Sequence, residues 1–280
     1  MTEDSFQASG SHDLTSKKVE EILKSVNTNG YMLLKGIIPP KTVELASAYL
    51  DNSDLGPLER ETSPLYQPLM AISYNSTILR IISRFFSEEA LPMQGLLFKY
   101  PTTQPLHQDT VHFSTFPRDM MMAFWVALED ISIEQGPIAY VPKSHLLPTF
   151  SSFEFPSASN RYFAKGEDIE KSYEMYEDEL SLAADQLNLK PLKFIAKAGD
   201  GILWHPRLWH GGCTSIVEGK TRYSYVTHYM ASKTPIYLKH FNGIPLIPRF
   251  QNPRELLTGR PLYRAGLLSI ISRYIKLLSG

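Results

Sequence analysis

The stretch DMMMAFWVALEDI, residues 119–131, decides the fold class, because it is apolar and aromatic between charged ends. Similar short runs flank it, separated by glycine, proline and aspartate: MQGLLFKY (93–100), GPIAYVPKSH (136–145), LKFIAKAGDGILWHP (192–206) and TRYSYVTHYMAS (221–232). Runs of this length, bounded by turn residues, are typical of β-strands. Several of them at regular spacing predict a β-sandwich or barrel.

The residues before these runs predict helices. Residues 16–29 keep apolar side chains at helical spacing and end at Asn29-Gly30, a helix stop signal. Residues 31–38 predict a strand, 39–52 and 76–91 two more helices, and 53–69 a loop. We therefore expect one domain over 1–280, with a disordered segment at 1–14, a helical region at 15–92 and a β core at 93–235.

Two segments fall outside this plan. Residues 150–190 interrupt the core and include the acidic stretch GEDIEKSYEMYEDEL, which predicts a helix that is either a lid or a solvated outer helix. Residues 236–280 form a C-terminal extension that is apolar and basic. The extension could dock on its own domain, mediate a homo-oligomer or lie on a membrane surface.

Composition narrows the function classes. The net charge of −1 gives no bulk electrostatic reason to expect a nucleic-acid or membrane partner. No apolar run is long enough to predict a transmembrane segment, and the first residues lack the apolar core of a signal peptide. The single cysteine, Cys213, permits no intrachain disulfide and no cysteine-based zinc site. A cytoplasmic protein is expected.

HQDTVHF, residues 107–113, concentrates two histidines and a carboxylate. On a strand His107 and Asp109 share one face, whereas His112 points to the other. An imidazole and a carboxylate two residues apart can occupy neighbouring positions on one metal ion. The alternative is that His107 is a hydrogen-bonded core histidine and Asp109 a turn or capping carboxylate.

A third ligand is available in GDGILWHPRLWHGG, residues 199–212. His205 and His210 lie five apart there, so only one is expected to face the site, and a turn after the strand favours His210. His205, His112 and His228 are then expected either to pack in the core or to support the metal ligands from behind. Two histidines and one carboxylate leave three metal positions open, the arrangement of non-haem Fe(II) oxygenases.

Arg222 lies on the last β-like run, inside the predicted core. A buried guanidinium needs an anionic partner. The partner is either a protein carboxylate or the carboxylate of a cosubstrate, which the planar fork of arginine binds in bidentate geometry.

The ordered set PLHQD, AFWVALEDI, GPIAYVPKSH, GDGILWHPRLWHGG and the Arg222 run resembles the Fe(II)/2-oxoglutarate oxygenases of the phytanoyl-CoA dioxygenase family. The resemblance covers roughly residues 19 to 232, with Lys143 where the family has glycine, and Gly212 and Ser215 where it has polar residues.

The resemblance implies a double-stranded β-helix (jelly-roll, cupin-like) core with flanking helices. It implies that His107, Asp109 and His210 hold Fe(II), that Arg222 binds the far carboxylate of 2-oxoglutarate, and that Lys99 and Trp125 line the same pocket. It also implies hydroxylation of a C–H bond with dioxygen, releasing succinate and CO2. The retained Asp109 argues against a halogenase, which has a small residue there.

The substrate is expected to be a small molecule, such as an amino acid or an alkaloid-like natural product. An acidic lid disfavours a polyanionic coenzyme-A thioester. The candidate contacts are Gln104, Thr110, His112, Phe113, Tyr66 and Tyr173, with Gln94 and Tyr176 as further candidates.

Other functions remain open at the level of sequence. The same hydrogen abstraction can end in desaturation, epimerisation or cyclisation. A zinc-dependent hydrolase could use the same His-Asp-His set. A cupin-like binding protein could keep the barrel without the chemistry.

Overall fold

A computed structural model describes residues 5–7, 15–57, 59–148, 166–233, 236–238, 250–251, 253–262 and 275. Its helices are α1 (Ser16–Asn29), α2 (Pro40–Asp51), α3 (Gln67–Ser73), α4 (Ser76–Phe86) and α5 (Gly166–Gln186). Its strands are β1 (Ser5–Gln7), β2 (Tyr31–Lys35), β3 (Glu61–Thr62), β4 (Ala90–Phe98), β5 (Ser114–Phe116), β6 (Met121–Ala127), β7 (Ile138–Tyr140), β8 (Leu192–Lys193), β9 (Gly201–Trp204), β10 (His210–Gly212), β11 (Ser224–Ala231), β12 (Ile236–Leu238) and β13 (Phe250–Gln251).

The larger sheet has the strand order β1-β2-β9-β6-β11-β4-β3. Its centre is antiparallel, with β11 hydrogen-bonded to β6 on one side and to β4 on the other. The strand β2 comes from the predicted helical region and pairs with β9, so that region supplies part of the sheet itself. Gly30 makes this possible, since its left-handed conformation (φ 89°) ends α1 and turns the chain directly into β2.

Both faces of the larger sheet are buried, which explains the unbroken apolar run at residues 121–127. Phe124 and Val126 pack on the side covered by α1, α2 and α4. Ala123 and Trp125 point the other way, toward the second sheet. Because successive strand residues alternate between faces, a strand covered on both sides has no polar positions left.

The second sheet has the order β10-β7-β8 and lies over the Trp125 face. Ile138 and Tyr140 from this sheet share a core with Trp125, Ile202 and Val226 from the larger one. The two sheets enclose this core, and the fold is the expected double-stranded β-helix with flanking helices.

Two predictions in the N-terminal part need correction. Residues 53–69 are not all loop, because β3 pairs with β4 and α3 begins at Gln67. Residues 5–7 are not disordered, because β1 adds to the sheet in parallel with β2. The rest of the segment 1–14 lies outside the described residues.

The predicted insertion contains a helix, and its described part packs on the body of the protein. Tyr176, Leu180 and Ala184 lie at helical spacing on α5 and share a cluster with Val111 and Trp209. The described part of the helix is therefore amphipathic, with its apolar stripe turned inward and the side chains of Glu174, Asp178, Glu179 and Asp185 exposed. Residues 149–165 lie outside the described part.

The C-terminal extension is described only in pieces. β12 pairs with β5 and β13, and Leu262 packs beside Phe113 and Met230. These contacts dock the described pieces on the domain that carries them, and a homo-oligomer through the extension stays a prediction. In the described parts of the chain, no helix combines the length and apolar composition needed to cross a membrane.

Candidate metal centre and the cavity beside it

Backbone pairing brings the two halves of the site together. The N–H groups of His107 and His210 each donate to the carbonyl oxygen of the other, at 2.9 and 3.0 Å, in a bridge outside the named strands. β10 begins at His210 and is held by β7, so the loop carrying His107 is fixed to the second sheet. These two hydrogen bonds hold the two histidines side by side, although they are far apart in the sequence.

The strand predicted for residues 107–113 is wrong beyond His107. The chain turns into a 3-10 helix at Asp109–Val111, where the Asp109 carbonyl oxygen accepts from the N–H groups of His112 and Phe113, each at 2.9 Å. His107 and Asp109 still converge, but the turn also directs His112 and Phe113 to the same cavity. The prediction that His112 points away from the pair therefore fails.

Three buried side chains form a group that could hold a metal ion. One donor atom each from His107, Asp109 and His210 lies within 4.8 Å of the other two, and the residues are 6%, 2% and 4% exposed. His210 Nε2 lies 3.6 Å from Asp109 Oδ1, beyond hydrogen-bond distance. His205 is not part of this group.

Hydrogen bonds orient each donor atom. Nδ1 of His107 lies 3.0 Å from the carbonyl oxygen of Pro105, and Nδ1 of His210 lies 2.9 Å from that of Leu208. A carbonyl oxygen only accepts, so Nδ1 carries the hydrogen and the Nε2 lone pair is free for a cation. The indole N–H of Trp204 donates to Asp109 Oδ2 at 2.7 Å, which leaves Oδ1 for the same cation.

The charges of these groups suit a cation. Burial, together with the neighbouring His210, lowers the pKa of His107 to about 4, and burial lowers the pKa of His210 to about 4. Both imidazoles are therefore neutral at neutral pH, which is the state that binds metals. The Asp109 carboxylate then lacks a compensating charge within hydrogen-bond distance, and a divalent cation between the three donor atoms would supply one.

Arg222 is a second buried charge in the same cavity, and it is 3% exposed. One terminal N–H donates to the Gly136 carbonyl oxygen at 3.0 Å, while Nε has no hydrogen-bond partner. Burial lowers its pKa to about 10, so the guanidinium stays charged at neutral pH. Among the described residues no carboxylate forms an ion pair with it, so the alternative of a salt bridge to a protein acid does not hold there.

The cavity that joins these groups has a volume of about 680 Å³. Many of the predicted contact residues line it: Gln94, Gln104, His112, Phe113, Trp125 and Tyr173. The Tyr173 hydroxyl accepts from the Gln104 side-chain amide at 3.1 Å and lies 3.0 Å from His112 Nε2. This contact ties the lid helix α5 to the loop that carries the metal-binding group.

Other predicted contacts lie elsewhere, in contrast to the prediction. Lys99 is absent from the cavity lining and its ammonium group donates to the Ser53 carbonyl oxygen at 2.8 Å, because its neighbour Phe98 takes the inward position. Tyr66 stacks on Tyr49 with ring centroids 4.6 Å apart. Thr110 lies in the 3-10 turn, where its N–H donates to the Pro206 carbonyl oxygen.

Tyr176 is fully buried beneath α5 instead of lining the cavity, and its hydroxyl accepts from the Gln108 N–H at 3.0 Å.

Several lining residues are absent from the sequence-based site, among them Arg60, Glu177, Trp204 and His228. Glu177 had a usable signal, because it follows Tyr173 by four residues on a predicted helix and so shares its face. Trp204 had no such signal in the sequence, because a tryptophan next to a histidine at the end of a strand is common in protein cores. His228 stacks on Phe113 at 4.8 Å, and its Nε2 lies 3.9 Å from Asp109 Oδ1.

Replacing Trp204 with phenylalanine is expected to weaken Fe(II) binding by roughly 10- to 100-fold, the usual effect of losing a hydrogen bond that orients a metal ligand. Anaerobic Fe(II) titration against a competing chelator measures this affinity. Trp125→Phe is the matched control, because it truncates another indole of the cavity wall without a hydrogen bond to Asp109. Equal affinities for Trp204→Phe and the wild type would exclude this role for the indole.

His205 gives a separate prediction about acid stability. Its ring packs against Phe85 and His145, with centroids 5.8 and 5.0 Å apart, and burial lowers its pKa to about 3. Below pH 6.5, the approximate pKa of histidine in an unfolded chain, the His205 imidazole is protonated in the unfolded state but stays neutral in the folded state. The free energy of unfolding therefore falls as the pH drops. When the pH is lowered from neutral to about 5, the free energy of unfolding is expected to fall by roughly 2 kcal/mol less in the His205→Gln variant than in the wild type.

Chemical denaturation of the metal-free protein at several pH values measures this difference. Parallel pH profiles for the variant and the wild type would show that His205 titrates normally.

Comparisons with known proteins place these features in a family. The family model described as phytanoyl-CoA dioxygenase (PhyH) matches residues 62–215. Mouse peroxisomal phytanoyl-CoA dioxygenase is 22% identical over 193 residues, covering 65% of this chain and 53% of the mouse protein. The human enzyme is 24% identical over 152 residues, covering 51% of this chain and 40% of the human protein. The chain thus spans about half the length of the curated relatives it matches.

Solved structures share the fold. The non-heme alpha ketoglutarate dependent epimerase SnoN from nogalamycin biosynthesis superposes with a TM-score of 0.60 at 17% identity, covering 90% of this chain and 97% of SnoN. EctD from S. alaskensis, in its apoform, gives a TM-score of 0.57 at 16% identity, covering 93% and 92%. The family match extends over more than half of the 280 residues and includes the whole His-Asp-His set. The chain belongs to the phytanoyl-CoA dioxygenase family of Fe(II)- and 2-oxoglutarate-dependent oxygenases.

Proposed function

We propose that the protein hydroxylates an unactivated C–H bond of a small molecule, using Fe(II), 2-oxoglutarate and dioxygen and releasing succinate and CO2. His107, Asp109 and His210 hold the iron, and Arg222 binds the far carboxylate of 2-oxoglutarate. The observation that carries the proposal is the buried guanidinium of Arg222 without a described acidic partner, in the cavity of the His-Asp-His group. A hydrolytic zinc site needs a metal-bound water, and its reaction involves no carboxylate-bearing cosubstrate.

When bound, iron would activate dioxygen: oxidation of 2-oxoglutarate to succinate and CO2 gives two electrons to dioxygen, and hydroxylation of the substrate C–H bond gives the other two. The chain's own residues provide geometry and a dry pocket. The carbonyl oxygens of Pro105 and Leu208 fix the two imidazoles, and Trp204 fixes the carboxylate, so the donor atoms are in place before the metal arrives. The α5 helix covers the cavity with Tyr173 and limits access of water.

A small substrate fits this site better than a coenzyme-A thioester. The volume of about 680 Å³ is in the range of small-molecule pockets. The curated relatives carry phytanoyl-CoA in their names, but α5 presents acidic side chains beside the cavity, which repel a polyanion. The SnoN structure belongs to nogalamycin biosynthesis by its title, and a natural-product or amino-acid substrate is part of our proposal.

Anaerobic titration with Fe(II) and then 2-oxoglutarate tests the cofactor chemistry. The wild type is expected to give a visible charge-transfer band that needs both additions, and Asp109→Ala is expected to lose it because the iron loses its only carboxylate ligand. Tight zinc binding with no such band would favour a hydrolase. Absence of metal binding would leave a cupin-like binding protein.

Arg222→Ala is expected to raise the dissociation constant of 2-oxoglutarate by roughly 100-fold, since a buried charge pair loses one partner at a cost of 2–5 kcal/mol. The Fe(II) affinity should stay within about twofold, because Arg222 makes no described contact with the three donor residues. The same charge-transfer band, titrated with 2-oxoglutarate at saturating Fe(II), measures the first affinity, and Fe(II) titration against a competing chelator measures the second.

Lys99→Ala is the matched control, since it removes a cation that lies close in sequence to the cavity wall but points away from the cavity. An unchanged 2-oxoglutarate affinity in Arg222→Ala, or a loss in Lys99→Ala of the same size, would refute the assignment of Arg222.

A further inference from the structure

We propose that the substrate is an organic cation and that Glu177, on the lid helix α5, binds its ammonium or guanidinium group. The inference rests on the proposed function, because it assigns the substrate class of the same cavity. It also names a specificity-determining residue that neither the metal centre nor the 2-oxoglutarate site uses.

Glu177 lies on the inner side of the lid. It is 9% exposed, lines the cavity and follows Tyr173 on the same helical face. The Glu177 carboxylate accepts a hydrogen bond from the Tyr173 hydroxyl, but its Oε1 is buried and has no hydrogen-bond partner. A carboxylate in this position has lost most of its hydration, and a buried polar atom without a partner is costly unless a ligand satisfies it.

The surroundings favour a positive ligand over a neutral one. Burial raises the pKa of Glu177, and the negative side chains of Asp178 and Glu174 on the same helix raise it further, against the lowering effect of the Tyr173 hydrogen bond. Both effects make a lone carboxylate there unfavourable and a cation beside it favourable. Arg60, the other unassigned charge of the lining, is exposed to solvent, and the described residues show no ion pair between it and Glu177.

The loaded metal centre does not compensate Glu177 either. The charges of Fe(II) and Arg222 balance those of the Asp109 carboxylate and of 2-oxoglutarate, with His107 and His210 neutral. The centre is then neutral overall, and Glu177 faces the substrate space with its charge uncompensated. A cationic substrate neutralises this charge and places its carbon skeleton between the lid and the metal ligands.

The competing interpretation is that Glu177 is protonated and donates a hydrogen bond to a neutral substrate. Glutamine separates the two, because it keeps the size and a donor but cannot carry the charge. Glu177→Gln should therefore abolish a preference for cations and spare the binding of neutral molecules. Glu179→Gln removes an exposed charge from the same helix and is the matched control.

The experiment measures binding to the zinc-substituted, 2-oxoglutarate-loaded protein, which does not turn over, by ligand-observed NMR titration. The probes are phenethylammonium, pentylammonium and pentylguanidinium ions, beside the neutral phenethyl alcohol and pentanol and the anionic hydrocinnamate and hexanoate. We expect at least one cation to bind the wild type and the Glu179→Gln protein about tenfold more tightly than its neutral counterpart. In Glu177→Gln this preference should fall below about twofold, with the affinity of the alcohols unchanged.

Two results would overturn the inference: no cation preferred over its neutral counterpart by the wild type, or a preference that survives in Glu177→Gln. The charge-transfer titration with Fe(II) and 2-oxoglutarate is run on the same preparations. A normal band without cation preference refutes the substrate class and leaves the oxygenase function standing. A cation preference without the band refutes the oxygenase function and leaves Glu177 as a cation site.

Discussion

The paired backbone hydrogen bonds between His107 and His210 are the constraint on which the site depends. They join a loop that follows β4 to the strand that follows β9, two parts of the chain a hundred residues apart. Each histidine is then oriented by a carbonyl oxygen two residues before it, Pro105 and Leu208. The metal-binding geometry is thus built mainly from backbone, which the β core holds rigid.

The buried charged side chains of the cavity wall explain which ligands the cavity is expected to bind. Three titratable side chains, Asp109, Arg222 and Glu177, are buried on its walls, and among the described residues none of them has a lysine, arginine, aspartate or glutamate as an ion-pair partner. Unpaired buried charges destabilise a fold, and a bound ligand of opposite charge removes that cost. We propose that the three side chains bind a cation at Asp109, an anion at Arg222 and a second cation at Glu177.

The periodicity of apolar residues correctly predicted the elements that bury one face, or both faces, along their whole length. The helix at 16–29, with its stop at Gly30, and the two-faced strand at 121–127 appear close to where the sequence placed them. Periodicity failed at Asp109, because a 3-10 turn held by local carbonyl bonds leaves no trace in the alternation of residue types. The same failure misplaced His112. The prediction for Lys99 failed for a related reason. Phe98, the last residue of β4, takes the inward position, and a step of one residue along an extended chain exchanges inward and outward side chains.

The site residues that could not be predicted from the sequence contact partners that are distant in the chain. Trp204 matters because its N–H meets Asp109, 95 positions earlier, and nothing in GILW predicts that contact. The lid depends on a similar long-range bond, in which the Gln108 N–H donates to Tyr176. Gln108 lies between His107 and Asp109, so the helix that carries Glu177 is hydrogen-bonded to the backbone that carries two of the proposed metal ligands. Docking of the lid and the position of the metal-binding loop are therefore one structural arrangement, and a substrate held by Glu177 is positioned relative to the metal ligands.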